Sequence, residues 1–178
     1  PTDVNGINKM AGEWYHILYN NVYGIRACAL RLTNTYGRGM RIKDARQTFL
    51  GIWIKHVLEG HPFSVWGGEQ LRDFNHVDDV VDAMLLAAVD KRAAGKVFNL
   101  GDSDIISLRS LADRLIKANG SGAYEIHAFP EERKRIDIGD YYADFSSFAA
   151  LGWSPRVRLA EGLRDTLDYY RANLADYI

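Results

Sequence analysis

The sequence predicts an α/β fold, on three observations. Runs of strand length alternate with stretches of helical period along the chain, and glycines fall where the helices should stop. No internal repeat or low-complexity linker interrupts the alternation. The first element is a long helix from Asn8 to about Tyr23, where Trp14, Ile17, Leu18 and Val22 recur at near-helical spacing beside a stripe of Tyr15 and Tyr19. Gly24 is placed to cap it. Ile25 to Leu32 is an apolar run of strand length, broken by Arg26 and Arg31, and reads as a buried strand. Thr33 to Asp44 reads as a loop, because Gly37 and Gly39 sit among Arg38, Arg41 and Lys43. A helix is expected from about Ala45 to Leu58, ending near Gly60.

Phe63-Ser64-Val65-Trp66 alternates and stops at Gly67-Gly68, which predicts a short strand and a turn. Asp78 or Asp79 is placed to cap a helix running to about Asp90. Val97 to Leu100 reads as a strand ended by Gly101. Ser107 caps a helix through Lys117, with Asn119-Gly120 as its stop. Tyr124 to Ala128 is a further strand. Ser146 to Leu151 and Leu159 to about Asn173 form two last helices around Trp153-Ser154-Pro155.

Composition removes several function classes. Hydrophobic residues make up 47% and charged residues 25% of 178, which excludes a disordered chain. The 22 Lys and Arg against 23 Asp and Glu leave a net charge of -1, so no overall basic field exists to hold nucleic acid or an anionic membrane. Cys28 is the only cysteine, which excludes an internal disulfide framework and a cysteine-built metal site and suits a reducing cytoplasm. Apolar runs such as Met84 to Val89 are far short of the ~20 residues of a membrane span. The chain opens on Pro1-Thr2-Asp3 with a helical pattern close behind. It is therefore expected to be one portion of a longer protein.

Several short motifs stand in a set order. Pro1-Thr2-Asp3-Val4-Asn5-Gly6-Ile7-Asn8-Lys9-Met10-Ala11-Gly12-Glu13 runs into the first helix and Leu30-Arg31-Leu32-Thr33-Asn34-Thr35-Tyr36-Gly37 closes the first strand. Arg72-Asp73-Phe74-Asn75-His76-Val77-Asp78-Asp79 precedes a helix, and Phe98-Asn99-Leu100-Gly101 ends a strand. Tyr142-Ala143-Asp144 with Leu151-Gly152-Trp153 comes last. Together they resemble the C-terminal half of the extended short-chain dehydrogenase/reductase family, the NAD-dependent sugar-nucleotide epimerases and dehydratases, over nearly the whole chain.

The resemblance implies the C-terminal part of a Rossmann-type parallel sheet fold interleaved with a small substrate-binding lobe across residues 1–178. It implies NAD as cofactor and a UDP- or dTDP-sugar as substrate. The expected activity is that of a UDP-glucose 4-epimerase, with transient oxidation at C4 of the sugar. A dehydratase or decarboxylase shares that first oxidation. The glycine-rich strand–turn–helix that cradles the cofactor pyrophosphate belongs to the family's other half and is not found here.

Site residues follow from the resemblance. Lys9 matches the lysine of the family's Tyr-x-x-x-Lys pair, which holds the nicotinamide ribose and lowers the tyrosine pKa through its positive charge. The tyrosine's place is taken by Asn5, and a carboxamide cannot act as a general base. Either another side chain moves the proton, or Asn5 hydrogen-bonds the sugar hydroxyl in altered chemistry, or the protein binds nucleotide sugar without turning it over. Leu32 lies where the family packs a side chain against the nicotinamide, though a core leucine fits as well.

Asn34 matches an asparagine that reaches toward the substrate diphosphate. Arg72 offers phosphate oxygens a rigid fork of donors; its alternative is a salt bridge to Asp73 or Asp78. Lys134 and Asp137 stand where the family has an arginine for phosphate and an aspartate for the nucleoside ribose. A solvated basic loop at Arg133-Lys134-Arg135 is the other reading. Val65 and Trp66 fall where a strand packs along the nucleobase, or form a core pair. His76 reads as structural. No metal site is expected. The helix from residue 8 to 23 matches the family's four-helix homodimer interface, and its wide apolar coverage fits burial on more than one side.

Overall fold

The computed structural model describes residues 4–43, 48–129 and 138–177. Helix α1 (Val4–Tyr23) starts earlier than its periodicity suggests and ends at Gly24, whose φ of 66° allows the chain to reverse. Strand β1 is only Ala29–Arg31, since these three residues alone of the apolar run find a ladder. They pair in parallel with β6 (Val97–Asn99), Ala29 opposite Val97.

β2 (Asn34–Tyr36) occupies part of the stretch expected to be loop. It is a strand because β5 (Phe74–His76) supplies a parallel partner, a non-local effect that outweighs the local glycines. Helix α2 (Phe49–Glu59) begins after Thr48, whose hydroxyl accepts the Gly51 N–H at 3.2 Å, and stops at Gly60 with φ of 73°. The earlier start expected at Ala45 lies outside the described residues.

β3 (Phe63–Trp66) pairs in parallel with β8 (Tyr124–His127), and β4 (Leu71–Arg72) pairs antiparallel with β7 (Ile106–Ser107). Helix α3 (Val77–Val89) is capped by His76, not by Asp78 or Asp79: His76 Nδ1 accepts the Asp78 N–H at 3.3 Å. Asp79 is instead turned inward. Helix α4 (Leu108–Asn119) keeps both expected caps, Ser107 and Gly120. Helix α5 (Ser146–Ala149) is shorter than expected, and α6 (Leu159–Asn173) matches its expected bounds.

Two hydrophobic clusters hold these elements. The larger joins α2, β3, α4 and α6 through Trp53, Ile54, Val65, Leu111, Leu115, Leu163 and Leu167. The smaller joins α3, β6 and α5 through Ala83, Ala87, Phe98, Phe148 and Trp153. Tyr36, in the larger cluster, lies edge-on to His76 with ring centroids 5.4 Å apart. α6 passes this pair at Gly162, where a Cβ would run into the Tyr36 hydroxyl and stand 3.0 Å from His76 Cδ2. Gly162→Ala is therefore expected to destabilise the protein by about 1–3 kcal/mol through overpacking, read as a lower urea midpoint at unchanged slope.

α1 is the exception. None of its residues is buried, and Trp14 and Tyr15 are each 63% exposed. It is tied to β1 by a bidentate pair from Arg31 to Glu13, at 2.6 and 2.8 Å. That hydrogen bonding holds the Glu13 carboxyl below its ordinary value. A depressed carboxyl contributes stability above its unfolded pKa and loses it as pH falls through the folded value. Acidification below about 4.5 is thus expected to loosen α1 first, seen as faster hydrogen exchange in α1 than in α2 or α4.

Candidate active site

A cleft of about 1140 Å³ opens between α1, β1, α3 and the segment 138–144. α1 contributes Lys9 and Glu13, which stand one turn apart on one face. The Glu13 carboxylate is occupied by Arg31, so the Lys9 ammonium, on an exposed residue, is not drawn into that pair. β1 and its continuation supply an apolar floor through Cys28, Leu30 and Leu32, and burial pushes the Cys28 thiol up. The facing wall is Tyr141, Tyr142, Ala143 and Asp144. Tyr141 donates its N–H to the Leu71 carbonyl at 2.9 Å. Asn99, also lining the cleft, reaches the Asp144 carbonyl at 3.4 Å.

Of the residues singled out by sequence, the cleft brings together Lys9 and Leu32. Asn5 is exposed on α1 one turn before Lys9, close to the opening but not in its lining. Asn34 is directed elsewhere: its Nδ2 donates to the Asp73 carbonyl at 3.0 Å. Arg72 is 7% exposed, and its Nη1 donates to the carbonyls of Leu71, at 2.8 Å, and of Gly139. The hydrogen bonds described for it are to main chain rather than to Asp73 or Asp78.

Val65 is fully buried in the core and offers a ligand no surface, because strand alternation sends Trp66 outward in its place. Trp66 packs on His127 with centroids 5.1 Å apart, away from the cleft. Lys134 and Asp137 lie outside the described residues. His76 is buried, as a structural histidine should be, with Nε2 3.6 Å from the Asp165 carboxylate.

The sequence motifs contain Glu13, Arg31, Asn99 and Tyr142 but assign them no site role, nor is one expected for Tyr141. A role for Glu13 was within reach, four residues after Lys9 on a helix. The others join the cleft only through pairings distant in sequence. Among the described residues no group of three or more His, Cys, Asp or Glu side chains is placed to hold a metal ion. No described helix is long and apolar enough to cross a membrane.

The model of the NAD dependent epimerase/dehydratase family matches residues 1–101, more than half of the chain. The chain belongs to that family. Among epimerase/dehydratase relatives, a putative UDP-glucose 4-epimerase of Methanocaldococcus jannaschii is 31% identical over 174 residues, covering 97% of this chain and 55% of the relative. A dTDP-glucose 4,6-dehydratase of an Actinoplanes species is 29% identical over 175 residues, covering 97% and 52%. The solved structure of a UDP-glucose 4-epimerase with UDP-glucose from Thermotoga maritima matches with a TM-score of 0.82 at 30% identity, over 95% of this chain and 53% of that one. The α/β architecture is thus that of the family's Rossmann-type members, and the chain spans about half the length of these relatives.

Proposed function

We propose that the full-length protein carrying this chain is a nucleotide-diphosphate-sugar 4-epimerase that works on a UDP-glucose-like substrate with NAD in the cytoplasm. The observation that carries the reading is Lys9. It projects from the first turns of α1 into a large cleft with an apolar floor, and the neighbouring Glu13 is taken up by Arg31. That is a fit for part of a nicotinamide site: Lys9 for ribose hydroxyls and Leu32 for the ring. The pyrophosphate-holding element is supplied from outside this chain, whose sequence has no glycine-rich strand–turn–helix. When bound, the cofactor supplies a reversible hydride acceptor.

The chain's own residues bind and orient. Asn5 hydrogen-bonds the sugar hydroxyl without exchanging its proton, so the proton moves through another group. Lys134 and Asp137 hold the diphosphate and the nucleoside ribose, and Arg72 and Asn34 brace the main chain at Gly139 and Asp73. The exposed stripe of Trp14, Leu18 and Val22 on α1 is the surface of a homodimer. A dehydratase reading shares the same oxidation and is favoured by the likeness to a dTDP-glucose 4,6-dehydratase. A non-catalytic nucleotide-sugar-binding reading is favoured by Asn5 alone.

Incubation of the full-length protein with UDP-glucose and with dTDP-glucose separates these readings. The C4 epimer formed without net NADH supports epimerisation, and a 4-keto-6-deoxy product supports dehydration. Tight binding with no product overturns both enzymatic readings.

A further inference from the structure

Asp73 lies where four segments meet, and it is fully buried. Its Oδ2 accepts the backbone N–H of Asp102 at 3.1 Å and of Ala143 at 3.3 Å. Its own carbonyl accepts from Asn34 Nδ2. Asn75, two residues on, donates to Thr33 Oγ1 at 2.7 Å, and the Thr33 side chain in turn favours the ionised form of Asp73. One residue between β4 and β5 thereby fastens the turn joining β1 to β2, the loop after β6, and the segment 141–144.

That last segment is the cleft wall facing Lys9 and Glu13. It contains no helix or extended ladder: the main chain holds Tyr141 alone, through a single bridge to Arg72 and its N–H on the Leu71 carbonyl, and Ala143 is held by the Asp73 side chain. Asn99 Nδ2 reaches the Asp144 carbonyl only at 3.4 Å, while just before the segment Asp140 Oδ1 accepts the Leu71 N–H at 2.8 Å. Packing around the carboxylate is tight. A Cβ on Gly101 would lie 2.6 Å from Asp73 Oδ2 and 2.9 Å from the Ala143 carbonyl oxygen.

Burial pushes the Asp73 carboxyl up, against the N–H groups of Asp102 and Ala143 that favour the anion. A charge disfavoured by its surroundings adds little to stability at neutral pH. What it supplies is placement.

We propose that Asp73 is a positioning residue whose buried carboxylate holds the Tyr141–Asp144 wall at the separation from Lys9 that a nucleotide-diphosphate sugar requires. The identity of the ligand rests on the function proposed above; the fastening of the wall does not. Two variants of the full-length protein test it. Asp73→Ala removes Oδ2, the one acceptor that the Asp102 and Ala143 N–H groups share. Gly101→Ala keeps the carboxylate but crowds both its Oδ2 and Ala143, so the contact between them is broken.

Both variants are expected to speed hydrogen exchange across 138–145 by about tenfold or more while α2 and α4 keep their protection. Both are expected to raise KM for the nucleotide sugar by about tenfold with kcat within about threefold of wild type. A role confined to stability predicts otherwise: a lower Tm, with exchange in 138–145 and KM unchanged at assay temperature. That result overturns the proposal, as does a loss confined to kcat. Wild-type protein that binds no nucleotide sugar overturns the function, and the exchange comparison then still decides whether Asp73 holds the wall.

Discussion

Lys9→Met in the full-length protein is expected to lower turnover of the proposed nucleotide-sugar substrate by about 100-fold or more, within the range that a positioned acid–base system contributes. Methionine keeps the length of the stem and the helix propensity, so α1 should persist and the loss should come from the charge. The size of the effect follows from where the charge stands. Glu13 is the natural i,i+4 partner for Lys9, yet both its oxygens receive donors from Arg31. Lys9 lines the cleft together with Leu30 and Leu32, and no described carboxylate is paired with it there. Steady-state kinetics with circular dichroism checks this. Turnover within a few fold of wild type removes Lys9 from the chemistry.

The largest loss of stability is expected from Asp79→Ala, at about 2–3 kcal/mol, because two part-buried N–H groups lose charge-assisted acceptors. Asp79 is 2% exposed; Oδ1 accepts the Arg156 N–H and Oδ2 the Val157 N–H, each at 3.0 Å. The Asp79 carbonyl also accepts from Trp153 Nε1 at 3.0 Å. The first turn of α3 thus clamps the loop that feeds α6, and with it the seam between the two hydrophobic clusters. Asp79→Asn keeps one acceptor and should lose about half as much. Urea denaturation measures both. An Asp79→Ala midpoint equal to wild type contradicts the clamp.

The elements that were legible in the sequence are those whose signals are local. Gly24, Gly60 and Gly120 mark helix ends by backbone freedom, and Ser107 marks a start by its side-chain acceptor. The misread elements depend on partners far away in the chain. Asn34-Thr35-Tyr36 has no strand signal of its own and is a strand only because Phe74-Asn75-His76 lies alongside. β4 and β7 are two residues each and too short to show a period.

The cap of α3 went to His76 because an imidazole nitrogen can accept an N–H as a carboxylate does, freeing Asp79 to turn inward. The candidate site divides in the same way. Lys9 was readable from its place in a helical motif, whereas Asn34 and Arg72 are turned onto main-chain carbonyls by pairings with Asp73 and Gly139 that no local pattern carries.

The proposed transient oxidation at C4 can be read directly with UDP-glucose deuterated at that carbon. Turnover by the full-length protein should be slowed by the label, and the epimeric product should keep the deuterium at C4 with none exchanged into water. A product that has lost its label to solvent, or bound sugar with no product after many hours, contradicts an epimerase built on this cleft.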